Sequence, residues 1–134
     1  MRVLVDTSVW IDFFNPHISD SLELRKLKTL INSEDGGVVL CPIIYQEILQ
    51  GIRDDRYFEE IKRLLSYFPM LKKDFPIIED VAVDLYRSLR KKGITIRKSN
   101  DCLIAAYSFV FDVPVLFHDR DFDAICNNTS VRKF

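Results

Sequence analysis

At 134 residues the chain falls in the range of one ordinary domain, and a hydrophobic fraction of 48% supplies enough apolar side chain for one sizeable core. The charged fraction of 29% argues against disorder and against a fibrous architecture. A net charge of -1 excludes binding of nucleic acid through a general basic field, so any such contact has to be local.

Cys41, Cys102 and Cys126 are odd in number, widely spaced and without a CxxC pair, so neither a disulfide framework nor a zinc site is readable and a reducing cytoplasm is the expected setting. The opening MRVLVDTSVW halts its apolar run at Asp6, unlike a signal peptide. Val38 to Tyr45 is interrupted by Pro42 and is far shorter than the roughly 20 residues that span a bilayer.

In chain order, Arg2 to Val5 reads as a short strand and Ser8 to Phe14 as a helix broken by Asn15-Pro16. Asp20, three residues before Glu23, resembles a capping-box start, and Leu24, Leu27, Leu30 and Ile31 continue that helix to about Ser33. Gly36-Gly37 marks a turn, Val38 to Cys41 a second strand, and Pro42 suits the first turn of the next helix, because its missing N–H is not needed there. Gly51 weakens that helix near its end. Asp54-Asp55 then starts another with Phe58, Ile61, Leu64, Leu65 and Phe68 on one face, giving a helical hairpin.

After a segment around Leu71 to Ile77, a helix marked by Val81, Leu85 and Leu89 closes on Arg90, Lys91, Lys92 and Gly93. Ser99 is expected to cap the next helix, which ends before Val113-Pro114, and Val115 to Phe117 is a strand. Val131 to Phe134 is expected to add an edge strand. Strands alternating with helices imply right-handed crossovers and a mainly parallel sheet covered on both faces, a three-layer α/β/α sandwich within one domain spanning residues 1–134.

In open parallel sheets, sites form outside the carboxyl ends of the strands, where the loops converge. That rule selects Asp6 after the first strand, Glu47 about a turn into the helix after the second, Asp101 at the opening of a later helix and Asp119 after the last strand. Carboxylates brought together repel one another, so they take up protons or share a cation. An all-oxygen donor set suits Mg²⁺ or Mn²⁺, and metal-assisted phosphoester cleavage is the reaction class that needs no dedicated His base. Singly, each acid is as readily a turn or helix cap; the set carries the weight.

The segments DTSVWID at 6 to 12, EILQG at 47 to 51, NDCLIAA at 100 to 106 and HDRDF at 118 to 122 resemble, in order and spacing over nearly the whole chain, the successive motifs of VapC-type PIN domains. The resemblance implies a cytoplasmic, homodimeric endoribonuclease, the toxin of a toxin–antitoxin pair, using Mg²⁺ or Mn²⁺ on RNA and inhibited by a cognate VapB-like antitoxin. By motif, Asp6, Glu47, Asp101 and Asp119 become the metal-site acids, Asp121 an auxiliary acid, and Thr7 or Ser8 a supporting hydroxyl. One departure stands in the last motif: relatives commonly carry Thr shortly before the fourth acid, whereas this chain reads Phe117-His118-Asp119. His118 is read as a local hydrogen-bonding residue.

Arg87, Arg90, Lys91, Lys92, Arg97 and Lys98 form the clearest basic patch, read either as phosphate guidance or as a solvated helix end, with Arg53 a further candidate contact. Trp10 is expected in the core while some of Ile11, Phe13 and Phe14 face a partner. Tyr57, Phe58 and Tyr67 of the helical hairpin are candidates for an antitoxin groove or for internal packing. Asp12, Asp54, Asp55, Asp80, Asp84 and Asp123 read as solvated positions or caps. Two competing classes remain: a catalytically inactive PIN-like binding module, and a haloacid-dehalogenase-like phosphatase, disfavoured because Ser8 stands where that family wants a second Asp.

Overall fold

The computed structural model describes residues 1–18 and 20–134. Three short strands, β1 (Val3–Val5), β2 (Val38–Val39) and β3 (Val115–Leu116), pair in parallel in the order β2-β1-β3, with β1 central. Val3 lies beside Val38 and Leu4 beside Val39 on one side, and Leu4 beside Val115 and Val5 beside Leu116 on the other. Every strand residue is buried, as a sheet covered on both faces requires.

Seven helices connect and cover the strands: α1 (Thr7–Phe14), α2 (Leu22–Asn32), α3 (Pro42–Gln50), α4 (Asp55–Leu65), α5 (Ile77–Lys91), α6 (Ser99–Phe111) and α7 (Arg120–Asn128). Their starts follow local chemistry. Pro42 opens α3 and Asp54 caps α4 by accepting from the Tyr57 N–H at 2.8 Å. Gly93, at φ 82, supplies the left-handed residue beyond α5, and Asp112 adopts the same region at φ 51 to end α6 before Val113-Pro114.

Two caps differ from expectation. Ser21, not Asp20, caps α2, accepting from the Leu24 N–H at 3.2 Å, while Asp20 pairs with Arg25 at 3.1 Å. Ser99 sits in the first turn of α6, and the preceding Lys98 takes the cap position without a side-chain bond. The second strand stops at Val39 because Cys41 must enter the cap of α3; Leu40 makes a single parallel bridge to Met70 instead. The edge strand expected at Val131 to Phe134 is likewise one bridge, Lys133 beside Val115, since the Val131 N–H turns to the Thr129 hydroxyl at 3.2 Å rather than to a ladder.

Moving outward from β1 through β2 to Met70, then back across the sheet to β3 and Lys133, the chain reverses direction once. Right-handed crossovers therefore place α1–α4 on one face and α5–α7 on the other. Within each face α1 touches α2 and α3, α4 touches α3, and α5 lies along α6; α3 also touches α6, where the two layers meet. Trp10 is fully buried, stacked on Phe14 at 5.7 Å and met by Phe13 and Phe68, whereas Ile11 is 55% exposed. Among the described residues no helix is long and apolar enough to cross a membrane.

Leu4 sits fully buried on the central strand, so Leu4→Ala is expected to cost about 2–5 kcal/mol in chemical denaturation. Ile11→Ala, on the outer side of α1, is expected to change stability by no more than about 0.5 kcal/mol.

Candidate active site

The reversal of strand order falls between β1 and β3, and the crevice beyond their carboxyl ends is where an open parallel sheet binds its ligand. Asp6 follows β1 directly and caps α1; Asp119 is the third residue after β3 and caps α7. The same local device therefore serves twice, an extended residue whose carboxylate accepts helix N–H groups. Asp101 enters from the first turn of α6 on the opposite face, and Glu47 from α3.

Each acid has a distinct environment. Asp6 is buried, and its Oδ2 accepts from the Ser8 N–H at 3.1 Å and the Ser8 hydroxyl at 2.6 Å. Burial raises its carboxyl above the ordinary range, with the Glu47 charge adding to the effect and the Ser8 bonds opposing it. The Thr7 hydroxyl donates to Glu47 Oε1 at 3.0 Å. Asp119 accepts from the Asp121 N–H at 3.0 Å on Oδ1 and from Lys98 Nζ at 3.2 Å on Oδ2. The helix amide, then Lys98, hold its carboxyl below the usual value.

Asp101 differs from the rest. Its Oδ2 is buried and has no hydrogen-bond partner, and its carboxyl is pushed up to about 7 by burial, then by the charges of Asp6 and Asp119. An ionised carboxylate there is costly unless a positive charge comes to it. The four acids thus reach one edge of the sheet and sense one another's charge. Among the described residues, however, no three His, Cys, Asp or Glu side chains converge closely enough to share one ion directly. Ser8, Thr7 and Lys98 hold three of them in place.

Both hydroxyls of the Asp-Thr-Ser segment support site acids, where sequence alone had left Thr7 and Ser8 as alternatives. Ser8 Oγ also accepts from the His118 N–H at 3.1 Å, so one hydroxyl ties the loop after β1 to the loop after β3, where the sequence had suggested that a hydroxyl was lacking. The His118 ring turns away, with Nδ1 at 3.3 Å from Glu23 Oε2 on α2. Glu23 was missed as a neighbour of the site, and nothing in its helical spacing signals that contact. Asp121 lies beside the site through its backbone, while Asp123 pairs with Lys133 at 3.3 Å. Cys41 has its thiol pushed up to about 12, chiefly by burial, with the charges of Asp6 and Glu47 adding to the effect.

Beside Glu47 opens a groove of about 410 Å³ lined by Ile11, Phe14, Ile48, Ile52, Arg53 and Tyr57, among others. Tyr57 donates to the Phe14 carbonyl at 2.9 Å across it. Tyr67 does not share this groove. It is 75% exposed and lines a separate cleft with Met1, Leu30 and Pro69, at the end of the sheet where β1 begins. Phe58 packs against the core.

The PIN domain family model matches residues 3–128. The chain is 33% identical over 130 residues to the VapC ribonuclease Mb1587 of Mycobacterium bovis and to ribonuclease VapC11 of Mycobacterium tuberculosis, covering 97% of this chain and 96% of each relative. The chain is a PIN domain of the VapC type. The fold agrees with solved structures of the VapBC2 complex of Rickettsia felis bound to promoter DNA (TM-score 0.72, 18% identity, 96% of both chains). It also agrees with FitAcB of Neisseria gonorrhoeae (TM-score 0.69, 17% identity, 98% of this chain and 96% of that one). This VapC-type chain therefore has the α/β sandwich expected from its sequence, and the four motif acids occupy the sheet edge described above.

The Asp101 carboxyl implies a definite pH response. Its folded value lies above the ordinary 3.8, so the folded chain binds that proton more tightly than the unfolded one, and the associated stability is lost as pH rises from near 4 through about 7. In EDTA at pH 8, Asp101→Asn is expected to raise the melting temperature by about 4 °C or more, corresponding to roughly 1 kcal/mol in a chain of this size. At pH 4 the gain should vanish.

Proposed function

We propose that this chain is a metal-dependent endoribonuclease, the toxin of a toxin–antitoxin pair, working as a single-domain, cytoplasmic protein. The observation that carries the reading is the buried, unpartnered Asp101 oxygen facing a set of carboxylates at the switch point of the sheet. The names of the relatives, VapC ribonucleases, support the same activity.

The residues fit a divalent cation. Asp6, Glu47, Asp101 and Asp119 present only hard oxygen donors, which suits Mg²⁺ or Mn²⁺. Asp6 and Asp101 are the inner candidates because both are buried with raised carboxyls, while Glu47 and Asp119, each held by a hydroxyl or an ammonium, reach the ion directly or through water. Asp121 is the auxiliary acid. A bound ion supplies water activation and neutralises charge on the phosphate.

This chain's own groups do the rest. Ser8 fixes the Asp6 carboxylate through two bonds, so that it cannot rotate away. Thr7 orients Glu47, and the Asp121 amide orients Asp119. Asp101, with a buried oxygen that lacks a partner, offers that oxygen to the ion.

One solved neighbour is a toxin–antitoxin complex of Klebsiella pneumoniae and another, VapBC2 of Rickettsia felis, is bound to promoter DNA; a VapB-like antitoxin is the corresponding partner here. The apolar groove beside Glu47 is the assigned contact, since an inserted helix there would lie against the acidic site and Arg53. Homodimerisation belongs to the same reading.

A second reading, an inactive PIN-like binding module, draws on the lack of direct three-ligand convergence among the described residues. Metal binding without turnover, after every partner is stripped away, favours that module. Under the nuclease reading, partner-free protein cleaves RNA only with Mg²⁺ or Mn²⁺, and Asp6→Asn or Asp101→Asn lowers the rate by about a hundredfold or more. Thr7→Val lowers it by about tenfold through loss of Glu47 orientation. Cleavage by Asp101→Asn at the unmutated rate, under conditions where EDTA abolishes it, rules the site assignment out.

A further inference from the structure

Of the six basic residues between Tyr86 and Ser99, one reaches the acids. Lys92 Nζ donates to the Asn128 carbonyl at 2.9 Å and Arg90 lies over the Tyr86 ring at 5.7 Å, whereas Lys98 Nζ bonds Asp119 Oδ2 at 3.2 Å. Lys98 stands at the cap of α6, three residues before Asp101, and its side chain is 66% exposed. It is tethered at its tip and free along its stem. Both oxygens of Asp119 are engaged, one by its own helix amide and the other by this ammonium, so a divalent ion approaching Asp119 meets a positive charge already on the same carboxylate.

We propose that Lys98 is the resident counter-ion of the acidic site: it yields Asp119 to the divalent cation and, once released, holds a phosphate of the incoming strand at the mouth of the site. The inference rests on the nuclease reading given above and makes Lys98 a positioning residue within it. An ammonium and a divalent ion repel, so an ion that settles on Asp119 weakens the hold of Lys98 on the same carboxylate. The flexible four-carbon stem lets the displaced charge swing outward, where a backbone phosphate is the natural anion for it. Loading of the ion and capture of the strand are thereby coupled through one side chain.

The test compares Lys98→Met with Arg97→Met, its exposed neighbour that pairs with no acid among the described residues, using the full chain freed of partners. Mn²⁺ affinity is read by the loss of the free-ion paramagnetic resonance signal, without nucleic acid. Lys98→Met is expected to bind Mn²⁺ about fivefold more tightly, the upper value for an exposed ion pair, and Arg97→Met within about twofold of the unmutated chain. With Mn²⁺ saturating, binding of a mixed-sequence single-stranded DNA, which carries the same phosphates, is followed against salt. Its logarithmic slope should be shallower by about 0.7 in Lys98→Met, the loss of one phosphate contact.

General damage to the site weakens Mn²⁺ binding and so cannot mimic the first result. Unchanged or weaker Mn²⁺ affinity in Lys98→Met overturns the exchange, as does an equal gain in Arg97→Met or an unchanged salt slope. Failure of the unmutated chain to bind Mn²⁺ at all overturns both this exchange and the nuclease reading. Normal Mn²⁺ binding with no difference at Lys98 overturns the exchange alone.

Discussion

Like charges gathered in a poorly hydrated crevice are the constraint around which this molecule is organised. Asp101 and Asp6 are both buried at the edge of the sheet, and each carboxyl is raised chiefly by loss of water, with neighbouring acids adding to the effect. A fold seeking stability alone would place Asn or an apolar residue at these positions. Retaining acids there leaves a site that is electrostatically incomplete, and incompleteness of this kind is what gives a protein affinity for a small hard cation.

The backbone positions those charges economically. Asp6 directly follows β1 and Asp119 lies shortly beyond β3, and each begins a helix, so one residue near each strand end also satisfies an early amide of the next element. The two caps have unequal consequences. Asp119 shares its charge with a helix amide and an ammonium and stays ionised readily, whereas Asp6 is sealed more deeply and depends on Ser8. Ser8 in turn receives the His118 amide, so the positions of the two loops are set against each other through a single hydroxyl.

Much of this was legible in the residues because it depends on local rules. An Asp after a β-prone run, Pro42 at a helix start and Gly93 after a basic last turn have meanings that need only their neighbours. The choice between Ser21 and Asp20 as cap was not legible, since either side chain can accept the amide and the decision lies in the path of the chain. Which of six basic residues meets the acids was also hidden: Lys92, Arg90 and Lys98 are separated by where a helix end and a loop point, not by residue type. Tyr57 and Tyr67 looked alike in sequence but line grooves at different places, because one belongs to the first turn of α4 and the other lies beyond its end.

The margins of the sheet have a consequence of another sort. On both sides the ladder shrinks to a single residue pair, Leu40 with Met70 and Val115 with Lys133. An intruding extended peptide finds too few free amides and carbonyls to register against, so templated growth into fibrils has little foothold.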